Sequence, residues 1–276
     1  MQTLIYTWTA EVGDHSLEMA HVPGTGGDPY LFGGDPYGWG PAPARIGIEV
    51  DDFYIGSTAV TQALWLHVMG ENPAKRPELG CPIENVSWEH ITEPDGFLDR
   101  INTGGIRLSL AEQAGRDIKF RLPTETEWEY AARGGPHWRD EFTFSGSNDV
   151  REVAWSGPIW KGGNWWAVNR WRRFMAGALG PLFEEPTQTR PVGTKAPNQL
   201  GIFDMSGNIW EWCQDVCTDD PDLVPRNGAA YEGSGEERRL RGGCFNNWDI
   251  HCTVFKRYGI ETGAHDGCLG FRLAAS

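Results

Sequence analysis

Arg241-Gly-Gly-Cys-Phe-Asn-Asn-Trp-Asp-Ile-His-Cys252, answered by Cys268-Leu-Gly-Phe-Arg-Leu273, frames the last part of the chain. A Gly-Gly turn opens this segment and a Gly-Phe-Arg strand is expected to close it. Between them stand Trp248, Asp249, His251, Lys256, Tyr258, Glu261, His265 and Asp266 with almost no hydrophobic period. Regular ends around an irregular, chemically rich middle describe a working surface carried by a scaffold, because binding residues concentrate on loops that a rigid body positions.

Working outward, the strongest local signal is Arg121-Leu-Pro-Thr-Glu-Thr-Glu-Trp-Glu-Tyr-Ala-Ala-Arg-Gly-Gly135. Thr124 is placed to cap a helix, Glu127 to complete a capping box, and Gly134 to end it; Trp128, Ala131 and Ala132 form an apolar stripe. Asp51 to Gly56 reads as a strand, and a helix is expected from Thr58 or Thr61 to a stop near Gly70. Further helical stretches are expected at 94 to 102 and from Ser109 to Ala114. Cys81-Pro-Ile-Glu-Asn-Val-Ser-Trp88 reads as an ordered loop, and Gln199 to Trp212 as dense structure. A Trp-rich insertion near 156–185 interrupts the scaffold; its Trp and Arg content resembles that of interface hot spots, while packing of a long loop over the scaffold is the expected reading.

Composition narrows the function. Gly 36, Pro 18 and Trp 14 in 276 residues describe a folded, loop-rich chain packed by aromatics. A net charge of −14 argues against nucleic acid or an anionic membrane as partner, since neither binds without a basic face. No apolar run approaches the roughly 20 residues that span a bilayer. The N-terminus lacks a basic n-region, so the expectation is a cytoplasmic or unprocessed chain without a signal peptide. Six scattered cysteines with no C-x2-C pair read mainly as free thiols, with Cys213 and Cys217, or Cys244 with Cys252 or Cys268, as the pairings to test.

Four blocks occur in one order: Pro82 to Trp88, Arg121 to Gly135, Gly207-Asn-Ile-Trp-Glu-Trp212, and Arg241-Gly-Gly with Gly270-Phe-Arg272. Together they resemble the formylglycine-generating enzyme (sulfatase-modifying factor) family across residues 15 to 275, apart from the Trp-rich insertion. The resemblance implies one α+β domain, residues 1–276, with the C-type-lectin-like fold of that family, low in regular secondary structure. The family's enzymes oxidise a substrate cysteine to formylglycine with a copper ion held by two cysteines, the first five residues before the second. Cys252 matches the second; the first position holds Asn247, and an amide does not replace a thiolate for soft Cu(I). Copper is therefore not expected, and a copper-dependent oxidoreductase acting through Cys252 with a displaced second cysteine stands as the alternative.

The resemblance also implies a structural calcium site in the Gly207 turn. Ser206, Gly207 and Ile209 would offer carbonyls, Asn208 its amide and Glu211 its carboxylate, a set suited to a cation that takes six to eight oxygens. Non-catalytic relatives include variable proteins of diversity-generating retroelements, whose C-terminal segment displays a hypervariable binding face. Here the frame survives while many positions usually held by Asn have changed.

The reading is therefore a binding module whose C-terminal segment, 241–273, meets a protein or other macromolecular ligand. Its expected contacts are Asn246, Asn247, Trp248, Asp249, Ile250, His251, Tyr258, Ile260, Glu261, His265 and Asp266. Aromatics supply contact area at low entropic cost and the Asn, Asp and His side chains adaptable hydrogen bonding. Phe245 and Phe255 are expected in the core.

Overall fold

The structure, a computed structural model, describes residues 3–10, 13–34, 45–157 and 188–276. The Trp-rich insertion lies almost entirely outside the described residues. The chain begins with a hairpin of β1 (Thr3–Ala10) and β2 (Gly13–Val22) in which Leu4, Leu17 and Met19 turn inward while Ile5 stays exposed, the period of two expected of a half-covered strand. Next come β3 (Tyr30–Phe32), β4 (Ile46–Ile48) and β5 (Phe53–Gly56). Helix α1 (Gln62–Met69) starts where the Thr61 hydroxyl accepts from the Leu64 N–H at 3.2 Å and stops at Gly70, whose φ of 84° suits a residue without Cβ.

The helix expected at 94 to 102 is present as α3 (Phe97–Thr103), and a short unexpected helix, α2 (Trp88–Thr92), precedes it. Ser87 and His90 form a capping box that nucleates the earlier one, a device missed because His rarely plays the Glu part. After α4 (Gly105–Ala114) and β6 (Phe120–Arg121) comes α5 (Glu125–Ala132). Its expected capping box is present, with Thr124 N–H donating to Glu127 at 2.9 Å and Glu127 N–H to the Thr124 hydroxyl at 3.1 Å. The expected apolar stripe is only part of the picture: every residue of α5 is buried, its carboxylates included.

The remaining elements are α6 (Val150–Val153), β7 (Trp210–Val216), β8 (Glu237–Arg241), β9 (Tyr258–Glu261), β10 (Leu269–Gly270) and β11 (Ala274–Ala275). An antiparallel sheet runs β1-β2-β5-β11-β6, and a second runs β10-β7-β8-β9 with only β10 parallel to its neighbour. β3 and β4 form a separate pair. One apolar core, including Trp65, Phe97, Phe271 and Trp212, joins the first sheet to α1, α3 and α4; another gathers around Trp128 and Tyr30 on α5 and β3. Gly-Phe-Arg is not the middle of a closing strand, as expected, but the crossover between sheets: β10 ends at Gly270, Phe271 and Arg272 are fully buried, and β11 resumes at Ala274.

Candidate ligand-binding site

The C-terminal segment leaves β8 through Gly242 and Gly243, whose φ values of 95° and 75° only glycine takes without strain. A Cβ on Gly243 would also stand 2.6 Å from the His251 carbonyl oxygen and 2.8 Å from the Cys252 sulfur. This close approach folds 244–252 back as a compact turn. Two buried cations hold the chain beyond that turn. Arg241 donates to the carbonyls of Val254 and Lys256 and to Glu129, and Arg257 grips Glu125 through two bonds of 2.7 and 2.6 Å. The Glu125 carboxyl is raised by burial but lowered more by Arg257 and Arg239, and settles at about 2. The segment's backbone is thus fixed from α5, which explains why that helix buries charge.

A second set of contacts comes from the 82–92 region. Asn85, in the left-handed region at φ 64°, donates its N–H to the Asp266 carbonyl at 2.7 Å. Trp88 N–H donates to the Thr262 carbonyl, and the Thr262 hydroxyl donates to Glu89 at 2.7 Å. The His90 and His265 rings lie 5.9 Å apart, with Asn85 Oδ1 3.3 Å from His265 Nδ1. Asn85, Glu89 and His90 therefore border the candidate face. Sequence reasoning missed them: the block was legible as a motif, but nothing in it says which loop it grips.

The expected contact residues divide. Asn246, Tyr258, Glu261, His265 and Asp266 are exposed, and Asn247, Trp248, Ile250 and His251 are half-buried. Asp249 is buried, its carboxylate accepting the Ile250 N–H at 2.9 Å, so its expected ligand contact gives way to a turn-forming role. Ile260 packs against the main core. Burial and the nearby Lys256 push the His251 imidazole down to about 4, which keeps it neutral near pH 7. Tyr258 lies over Trp210, ring centroids 5.6 Å apart, and Arg238 caps the Trp88 ring at 4.2 Å. Phe245 and Phe255 are buried as expected. An open cleft of about 1020 Å³, bordered by Phe53, Trp88, Asn102 and Lys119, takes no residue from 241–273.

At both implied metal positions several of the expected donors are already engaged. At the expected calcium turn, both Glu211 oxygens accept from Arg272, at 2.6 and 2.7 Å, and one also from Trp128 Nε1 at 2.6 Å. The Asn208 amide is shared with the main chain of Arg190, at 2.9 and 3.0 Å, and the carbonyl of Gly207 accepts from Ile209 N–H while that of Asn208 accepts from Phe245 N–H. A dication would have to sit against a guanidinium. At the copper position, Asn247 turns its carbonyl oxygen to the Cys244 thiol at 3.4 Å, and Cys252 is fully buried, its thiol held protonated by burial and by Asp249. Among the described residues no three His, Cys, Asp or Glu side chains converge as a metal set.

The sheets of five, four and two strands, the long ordered loops and the pinned C-terminal face define an α+β domain of C-type-lectin-like fold, of the formylglycine-generating enzyme type. The chain belongs to the family of the sulfatase-modifying factor enzyme 1-like domain, whose family model matches residues 18–276. It is 31% identical over 245 residues to the formylglycine-generating enzyme of Streptomyces coelicolor, a match covering 82% of this chain and 65% of that protein. It is 35% identical over 195 residues to the chaperone protein LppX of Paenibacillus barcinonensis, covering 60% and 63%. The chain thus spans a little under two thirds of these relatives' length. Treponema denticola variable protein 1 shares the fold at a TM-score of 0.67 with 24% identity, the match covering 98% of both chains.

Proposed function

We propose that this chain is a non-catalytic member of its family that binds a protein or other macromolecular ligand through residues 246–266. The observation that supports this most is that both copper positions are spent: Asn247 stands where the resemblance calls for a thiolate and its amide oxygen accepts from the Cys244 thiol, while Cys252 is fully buried and shielded from any substrate. Thiolate is the reactive and metal-binding form, so burial of that kind removes both uses at once. The exposed set Asn246, Tyr258, Glu261, His265 and Asp266 remains for recognition, on a backbone that Arg241, Arg257 and the 82–92 region hold in place. The acidic balance favours a neutral or basic partner over nucleic acid or anionic lipid.

The likeness in fold to a variable protein supports a closer reading, in which the segment is a diversified surface and the fold tolerates its rewriting. Cu(I) titration of the reduced protein under anaerobic conditions tests the main proposal, with Cys252→Ser as control. No one-to-one complex is expected. A tight complex lost in Cys252→Ser would overturn the proposal in favour of a copper-dependent oxidoreductase.

A further inference from the structure

We propose that Cys244 and Cys268 form an oxidisable thiol pair, which a low-molecular-weight disulfide closes into a cystine that makes residues 245–267 a covalent loop. The second sheet brings the two together. Its strand β7 is flanked by β8, antiparallel, and β10, parallel, with Arg241 opposite Glu211 and Leu269 opposite Trp210. Cys244 follows the end of β8 and Cys268 precedes β10, so both lie at the same end of β7. The main chain holds them there: Phe245 N–H donates to the Asn208 carbonyl at 3.1 Å, and Trp210 N–H to the Cys268 carbonyl at 2.8 Å. Both side chains also belong to one apolar region, Cys244 within the main core and Cys268 packed against it, and neither is in a disulfide.

The other thiols are poorly placed to compete. The Cys252 sulfur faces the Trp248 carbonyl at 3.9 Å, tucked beneath Gly243. Cys81 faces the Thr189 carbonyl, and Cys213 is sealed in the second core. Cys213 and Cys217 stand four positions apart along an extended stretch, about 13 Å at the usual rise of a strand and too far for a disulfide.

Access is asymmetric, which orders the chemistry. Cys268 is half-buried and Cys244 buried. The Cys268 thiolate attacks oxidised glutathione, one glutathione leaves as thiolate, and the Cys244 thiolate then attacks the Cys268 sulfur and expels the second. Two protein thiols are oxidised, one external disulfide is reduced, and the two protons end on two glutathione thiols. The contact with Cys268 and burial hold the Cys244 thiol protonated, so the closing step should quicken as pH rises. All the candidate contact residues lie inside the loop so formed. Any effect on recognition rests on the ligand-binding reading, while the closure itself does not.

The experiment treats the reduced, full-length protein with oxidised glutathione between about pH 7 and about pH 9, blocks remaining thiols and maps the peptides. The expected result is one cross-linked peptide joining Cys244 to Cys268, formed faster at the higher pH. Cys268→Ser should keep the fold and lose the cross-link, and Cys244→Ala should leave glutathione attached at Cys268. A cystine mapping to other residues, or glutathione persisting on Cys268 in the unsubstituted protein, would overturn the proposal. If the loop closes but no substitution in it ever alters binding, the ligand-binding reading fails and the thiol pair stands.

Discussion

Arg272 and Glu211 meet as a two-pronged ion pair with no exposed surface: Nε donates to Oε2 at 2.6 Å and Nη2 to Oε1 at 2.7 Å. The arginine also donates to the carbonyls of Gly56 and Phe203, and the carboxylate also accepts from Trp128. One contact thus joins both sheets and α5 at the root of the C-terminal segment. Removing one partner leaves the other charge buried and unpaired. Glu211→Ala should cost about 3–5 kcal/mol, measured by urea denaturation, and Arg272→Met combined with Glu211→Leu should cost less than either single loss. Equal or greater loss in the double variant would show that the pair is not coupled.

Because that arginine occupies the carboxylate, calcium should leave the protein's melting temperature unchanged, in excess chelator or in excess calcium. A ligand at a hundred times its dissociation constant stabilises the state it binds by about 2.7 kcal/mol. A rise of that order on adding calcium would show that Glu211 leaves Arg272 for the ion.

Two buried carboxyls should shape the pH profile with opposite signs. Glu125 is raised by burial but brought down to about 2 by Arg257 and Arg239. Its folded value lies below the unfolded one, so its contribution is present above about pH 4.5 and lost as pH falls toward about 2. Asp215 is raised to about 7 by burial and by Glu125. Its contribution is complete below about pH 4 and lost as pH rises through about 7. Stability should therefore peak on the acidic side of neutrality, and Asp215→Asn should move the optimum upward. A flat Tm profile from pH 5 to pH 8 would contradict the assignment.

Alanine at Asn246, Glu261, His265 or Asp266 should change stability by less than about 0.5 kcal/mol, because these exposed side chains hold no apolar core. Ile260→Ala should cost about 1–3 kcal/mol, since its side chain packs against the main core. Denaturation midpoints of the five variants check this. Loss of folding in the first four would mean that the face is part of the scaffold.

Much of the fold was legible in local chemistry. Thr124 with Glu127, and Thr61 with Gly70, are signals that act within one turn of chain, and both helices form where those residues place them. The Gly242-Gly243 turn was legible for the same reason: a positive φ is a property of the residue itself. The 82–92 contacts were not, since Asn85 meets Asp266 across most of the chain, and neither residue carries a sign of the other.

The sequence by itself determined the family, the capped helices, the glycine turn and the mixed α+β class, because each rests on residue identity or short spacing. The tertiary structure decided which members of the C-terminal segment face outward, turning Asp249 into a buried turn-former and leaving Asn246, Tyr258 and His265 exposed. It also decided that Glu211 holds Arg272, and that Cys244 and Cys268 share one end of β7. The physical reason is that side-chain direction in an irregular segment has no period to read. Pairing between distant residues is set by the sheets and buried cations that bring them together.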